Sequence, residues 1–107
     1  MSAVTTHVLD TSRGHPAAGL AVRLVGPDGT TLGQARTDDD GRALDLGPDR
    51  LDPADYRLVF DTGGYFDRLG TSSLYPEVSV TFTVTGAGHY HVPLLLSAYG
   101  YSTYRGS

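Results

Sequence analysis

Four turn signals, Arg13-Gly14-His15-Pro16, Gly26-Pro27-Asp28-Gly29, Asp40-Gly41 and Gly47-Pro48-Asp49, interrupt the chain within its first 50 residues. Glycine supplies positive φ and proline fixes φ, so no long helix passes through such points. The stretches between turns are short and rich in Val, Leu, Thr, Tyr and Phe, the side chains that suit a pleated surface. Strands are predicted over 4–10, 20–26, 31–37, 43–46, 55–61, 78–85, 89–97 and 99–105. Eight such strands in 107 residues point to an all-β sandwich or barrel, built as a single domain over 1–107. One short helix fits between Thr62 and Leu69, with Thr62 as N-cap and Gly70 as its stop, although Gly63-Gly64 weakens it.

Composition removes several chemistries. The chain has no Cys, which leaves no disulfide framework, thiolate nucleophile or cysteine-held metal. Its eight basic residues are all Arg, so Schiff-base chemistry and a P-loop lysine are excluded. A net charge of −4 gives no overall attraction to a phosphate backbone, and no nucleic-acid partner is expected. No apolar run approaches the roughly 20 residues that span a bilayer, and no membrane association is expected. The first ten residues show no basic cluster followed by an apolar stretch, and a cytoplasmic location is expected. Four His, the Arg set, Asp, Tyr and the hydroxyl residues remain for catalysis.

Strand alternation carries the first functional information. In 4–10, Val4, Thr6 and Val8 share one face, with Thr5, His7 and Leu9 on the other. In 89–97, Tyr90, Val92, Leu94 and Leu96 lie opposite His89, His91, Pro93, Leu95 and Ser97. A sheet with one wet face alternates apolar with polar, yet Pro93-Leu94-Leu95-Leu96 is apolar on both sides. A two-layer domain of this size has one interior. The strand is either sandwiched inside the monomer or meets another subunit with its second face; the second is the expectation, with His7 and His91 lining the resulting cavity.

Several side chains invite a chemical reading. His89-Tyr90-His91 puts two imidazoles on one strand face, roughly 7 Å apart at the backbone, a spacing a zinc ion can use. No acid lies near in sequence to add a ligand, and no metal is expected. Thr37-Asp38-Asp39-Asp40-Gly41-Arg42 reads as a hairpin in which Asp accepts backbone N–H bonds and Gly41 takes positive φ. The run lacks the alternating ligands and closing Glu of a calcium loop. The end of the chain, Tyr101 to Ser107, follows a strongly apolar strand and is expected to be ordered.

Four blocks together resemble the 5-hydroxyisourate hydrolase family, transthyretin-like enzymes of purine breakdown. They are Thr6-His7-Val8-Leu9-Asp10 with Gly14 and Pro16-Ala17; Thr37 to Arg42; Tyr56 to Glu77, including Phe60-Asp61-Thr62-Gly63 and Tyr75-Pro76-Glu77; and Tyr90 to Ser97 running on to Tyr104-Arg105-Gly106-Ser107. The likeness covers essentially the whole chain, with Ala98 as a departure where the family usually has Pro. It implies a sandwich of two four-stranded sheets with one short helix. It also implies a homotetramer, a dimer of dimers, with active sites in the clefts between dimers.

The activity so implied is hydrolysis of 5-hydroxyisourate to 2-oxo-4-hydroxy-4-carboxy-5-ureidoimidazoline, a cyclic-amide opening that needs no metal and no cofactor. Carried over residue by residue, the resemblance makes His7 and His91 the groups for water activation and proton transfer, and Arg42 an electrostatic clamp on substrate oxygens. Tyr104 and Ser107 would bind or orient substrate, while His89 and His15 are read as structural. Two other readings are a non-catalytic carrier of a small planar ligand on the same tetramer, and a metal-dependent hydrolase using His89 and His91.

Overall fold

A computed structural model describes residues 2–107. In chain order its elements are β1 (Val4–Asp10), β2 (His15–Pro16), β3 (Ala21–Val25), β4 (Thr31–Arg36), β5 (Arg42–Ala43), β6 (Ala54–Phe60), α1 (Thr62–Arg68), β7 (Val78–Val84), β8 (Tyr90–His91), β9 (Leu94–Ser97) and β10 (Gly100–Thr103). Two sheets face each other. One runs β4-β3-β6-β7, antiparallel throughout, with a bulge between Leu24 and Val25. The other is centred on β1, which pairs antiparallel with β2 and β5 and parallel with β8 and β9; β10 closes it against β9.

The second sheet has six hydrogen-bonded strands but four lanes, and the reason is local. Pro93 has no N–H to donate, so the segment expected as one strand over 89–97 splits into β8 and β9. The predicted strand 43–46 shortens to Arg42–Ala43 because the chain then leaves the sheet. Leu44 is exposed, and Leu46 turns inward with its N–H donated to Ser2 Oγ at 2.7 Å.

Alternation works as read from the sequence. Val4, Val8, Leu94 and Leu96 are fully buried and meet Leu24, Leu58 and Phe60 from the facing sheet. Burying each such side chain contributes about 1.5–3 kcal/mol. Thr6 points into this core and satisfies its hydroxyl by donating to the Val92 carbonyl at 2.6 Å. His7 and Leu9 lie half-buried on the outer face.

Helix α1 sits where it was expected, with one correction. Its N-cap is Asp61, not Thr62: the Asp61 carboxylate accepts the Gly64 N–H at 3.0 Å. Thr62 cannot serve, because it is inside the helix with its hydroxyl donated to the Tyr75 carbonyl. Gly70, at φ +67°, ends the element.

The helix is tied to β1 by a buried carboxylate. Asp10, fully shielded from solvent, accepts bonds from Tyr65 Oη at 2.8 Å, Ser12 Oγ at 2.6 Å and the N–H groups of Ser12 and Arg13 at 3.1 and 3.2 Å. Burial, reinforced by the bond to Asp10, pushes the Tyr65 phenol up to about 12, so it stays a donor. Asp10→Ala removes the shared acceptor and leaves a buried hydroxyl unpaired. The expected loss is about 2–4 kcal/mol of unfolding free energy. It is read from the urea midpoint at fixed protein concentration; an unchanged midpoint would mean the carboxylate is dispensable.

Candidate active site

The turn before β5 delivers Arg42 to its place. Asp38 Oδ1 accepts the N–H groups of Asp40 and Arg42 at 2.9 and 3.0 Å, and the Gly41 N–H bonds the Asp38 carbonyl at 2.9 Å. Gly41 has φ +78° and lies so close to β1 that a Cβ would collide with the Val8 carbonyl. Its own carbonyl accepts the Val8 N–H at 2.7 Å. Pressed in this way, the turn places Arg42 directly opposite His7.

His7 Nε2 lies 2.8 Å from the Asp40 carbonyl. A carbonyl only accepts, so Nε2 carries the proton of that bond and Nδ1 is left with a free lone pair. The same turn therefore holds the backbone of Arg42 and fixes the tautomer of the neutral imidazole facing it.

On the other edge of β1, Thr5 stands opposite His91. Thr5 is 1% exposed, and its hydroxyl oxygen lies 2.9 Å from His91 Nδ1 and 3.0 Å from His89 Nε2. The two imidazoles stack with centroids 6.4 Å apart and planes at 19°. With Nδ1 engaged by Thr5, His91 presents Nε2 outward. The chain end covers this ring: the Gly106 N–H donates to the His91 carbonyl at 2.8 Å, and a Cβ on Gly106 would stand 2.5 Å from His91 Cδ2.

The sheet thus brings His7, Arg42 and His91 onto one outer face, on three adjacent strands. Tyr104 joins them: the His91–Gly106 bridge continues the register of β10 on β9, which sets Tyr104 opposite Pro93 on that face, half-exposed. Arg105 turns the other way and lays its guanidinium 4.5 Å from the Tyr90 ring centroid, a cation–π contact that pins the tail. Ser107 is exposed, one residue past the bridge. His15 is exposed on β2 and accepts from Arg13 Nε at 3.3 Å.

One site residue, Thr5, was not singled out in the sequence, and a second, His89, was considered there only as a metal ligand or a structural residue. Thr5 contacts both rings, and His89, read there as structural, lies beside His91. The signal for both was present in the outward parity they share with His7 and His91. Among the described residues, no three His, Cys, Asp or Glu side chains gather at a metal-ligand spacing. A groove of about 540 Å³ lies on the opposite sheet, lined by Arg23, Arg36, Asp61 and Glu77 among others. The imidazole face itself is open.

A family model described as HIUase/Transthyretin matches residues 4–106. The chain belongs to the HIUase/Transthyretin family. Among its relatives, the 5-hydroxyisourate hydrolase of Salmonella dublin is 45% identical over 109 residues, covering 97% of this chain and 80% of the relative. The solved 5-hydroxyisourate hydrolase of Klebsiella pneumoniae superimposes with a TM-score of 0.90 at 37% identity, covering 100% of this chain and 94% of that one. Sea bream transthyretin in complex with thyroxine gives a TM-score of 0.87 at 28% identity, covering 96% and 93%. The HIUase/Transthyretin fold therefore carries both a hydrolase and a protein solved with a hormone, and the side chains on the outer face must separate them.

Electrostatics on that face favour a neutral His91. Burial chiefly, then the charge of Arg42, then His89 and His7, hold its imidazole below the ordinary 6.5. The folded chain binds this proton less well than the unfolded one, so the contribution to stability is full above 6.5 and is lost as pH falls through the folded value. In an NMR titration His91 is expected to protonate below 6.5. Arg42→Ala should move that midpoint upward without restoring 6.5, because the larger cause, burial, persists. A midpoint that stays put or falls would remove Arg42 from the environment of His91.

Proposed function

We propose that this chain is a cytoplasmic 5-hydroxyisourate hydrolase, a single domain over 1–107 that opens a cyclic amide without metal or cofactor, and that it works as a homotetramer, a dimer of dimers. The observation that carries the reading is the convergence of His7, Arg42 and His91 on adjacent strands of one open sheet face, in a chain similar along its length to proteins named for that activity.

The reaction adds the oxygen of water to a ring carbonyl, breaks the C–N bond and delivers a proton to the departing nitrogen. The product is 2-oxo-4-hydroxy-4-carboxy-5-ureidoimidazoline. Water must lose a proton as it attacks, and negative charge develops on the carbonyl oxygen. An imidazole held neutral, as burial and Arg42 favour for His91, suits the proton transfers. The free Nδ1 of His7 and the outward Nε2 of His91 divide them. Arg42, permanently charged, binds the oxygen that becomes negative. Tyr104 donates a hydrogen bond to the substrate, and Ser107 assists in orienting it.

Assembly follows from what one chain leaves open. Leu9 and Leu95 sit opposite each other on the imidazole face, next to Pro93, and form an apolar strip beside the catalytic groups. Docking two such faces would remove this strip from water and enclose the site.

The deciding measurement is the decay of freshly generated 5-hydroxyisourate, followed by its ultraviolet absorbance. The hydrolase accelerates the loss; a carrier of planar ligands, the reading that the thyroxine-bound sea bream structure favours, leaves it unchanged. His7→Ala and His91→Ala are expected to lower turnover by about 10²–10⁴-fold with the tetramer retained. Loss of assembly with normal specific activity in the residual tetramer would contradict the catalytic assignment. Arg42→Lys should also lose much of the activity, since a planar fork of donors becomes a single point of charge. Unaltered kinetics in that variant would exclude Arg42 from the mechanism.

A further inference from the structure

The hydroxyl of Thr5 has two imidazole partners and one proton. Its oxygen lies within 3.0 Å of both His89 Nε2 and His91 Nδ1. If neither of those nitrogens carried a proton, only one of the two bonds could exist. Keeping both with the Thr5 oxygen accepting from each ring would leave its own proton without an acceptor in a side chain 1% exposed, which leaves two arrangements of the relay. In the first, His91 Nδ1–H donates to Thr5, Thr5 donates to a bare His89 Nε2, and His91 shows a lone pair at Nε2. In the second, His89 Nε2–H donates to Thr5, Thr5 donates to His91 Nδ1, and His91 shows a proton at Nε2.

We propose that Thr5 is a positioning residue which couples the protonation of His89 to the tautomer of His91, so that the exposed ring His89 decides whether His91 meets the substrate as an acceptor or as a donor. The proposal rests on the reading of His91 as a proton-transfer group. The geometry supports a coupled pair. Thr5 is buried and held in the central strand, the two rings are nearly parallel, and Gly106 packs against the His91 ring from the chain end. The interconversion balances: His91 takes a proton from solvent at Nε2 and passes its Nδ1 proton to the Thr5 oxygen, while the Thr5 hydroxyl passes its own proton to His89 Nε2.

The charged and titratable groups around His91 are few. They are His89 on its own strand, His7 on β1 and Arg42 on β5. From the tail, the Gly106 backbone packs on the ring, and Arg105 is turned to the other face against Tyr90. Among these, His89 alone shares a hydroxyl partner with His91. Arg42 and His7 act on it through space, which shifts its affinity for a proton but does not select a tautomer.

The test uses the full chain labelled with 15N at histidine, without substrate. In the wild type, His91 is expected to pass from the Nδ1–H to the Nε2–H tautomer as His89 takes up its proton, a step separate from the protonation of His91 itself. Thr5→Val should abolish that step and leave only His91's own titration, while Thr5→Ser should restore it. In the decay assay, Thr5→Val is expected to lower kcat about 10–100-fold, with a changed pH profile and KM within about twofold. Thr5→Ser should recover most of the loss. A His91 tautomer indifferent to His89 in the wild type, or a Thr5→Val enzyme with the wild-type pH profile, would overturn the coupling. Because the labelled-protein arm needs no turnover, a chain that shows the tautomer step but fails to hydrolyse 5-hydroxyisourate would overturn the proposed function and leave the coupling standing.

Discussion

The pairing of β1 along both its edges is the constraint on which the rest depends. An antiparallel partner on one side holds Arg42 against His7, and a parallel partner on the other holds His91 against Thr5. Strand side chains repeat with a period of two, so a slip of one residue on either edge would send one functional group into the core and bring an apolar one out. The core prevents such a slip. Val4, Val8, Leu94 and Leu96 are each fully buried, and turning them outward would forfeit several kcal/mol of apolar burial. Packing energy on the inner face thus holds the register of His7, Arg42 and His91 on the outer one.

This arrangement explains what was legible in the sequence. The parity of His7 could be read against Val4 and Val8, and that of His91 against Val92, Leu94 and Leu96, while the doubly apolar 93–96 segment marked the face they share. Thr5 was hidden for the opposite reason. Threonine is an ordinary strand former, so its presence in β1 signals nothing until its hydroxyl is seen between two rings. Asp61 and Thr62 are both good caps by type, and only the direction of each hydrogen bond distinguishes them. The break at Pro93 was also present in the sequence as a missing donor, although the apolar run around it reads as continuous. The pairing of His7 with Arg42 is a long-range contact set by the Gly41 turn, and no local pattern contains it.

Removing water from an imidazole and placing a guanidinium nearby act on His91 in the same direction, keeping it neutral. That combination has a chemical use. A ring protonated at rest would be spent as a base and would repel Arg42, whereas a neutral one can exchange protons and leaves the guanidinium free for an oxyanion. Both contributions depend on the fold. Burial of the ring comes in part from Gly106, whose missing side chain allows the backbone to lie against it, and the tail is anchored on the far face by Arg105 over Tyr90. The final residues therefore serve the site through what they exclude as well as through any contact with substrate.

A fold that also carries a hormone-bound relative raises the question of what makes a sheet face reactive. Apolar side chains alone, such as Leu9, Leu95 and Pro93, would make a cleft suited to a planar ligand by shape and burial. Reactivity needs groups that change charge, held so that they cannot pair with one another and cancel. Here each polar group has a separate tether: His7 to the Asp40 carbonyl, His91 to Thr5, and Arg42 to a turn whose carboxylate is engaged by backbone N–H groups. Those tethers consume the rear hydrogen-bonding atom of each imidazole and leave the outward nitrogen free. On this face, then, the polar side chains are held from behind, and the apolar strip beside them stays free to meet a ligand.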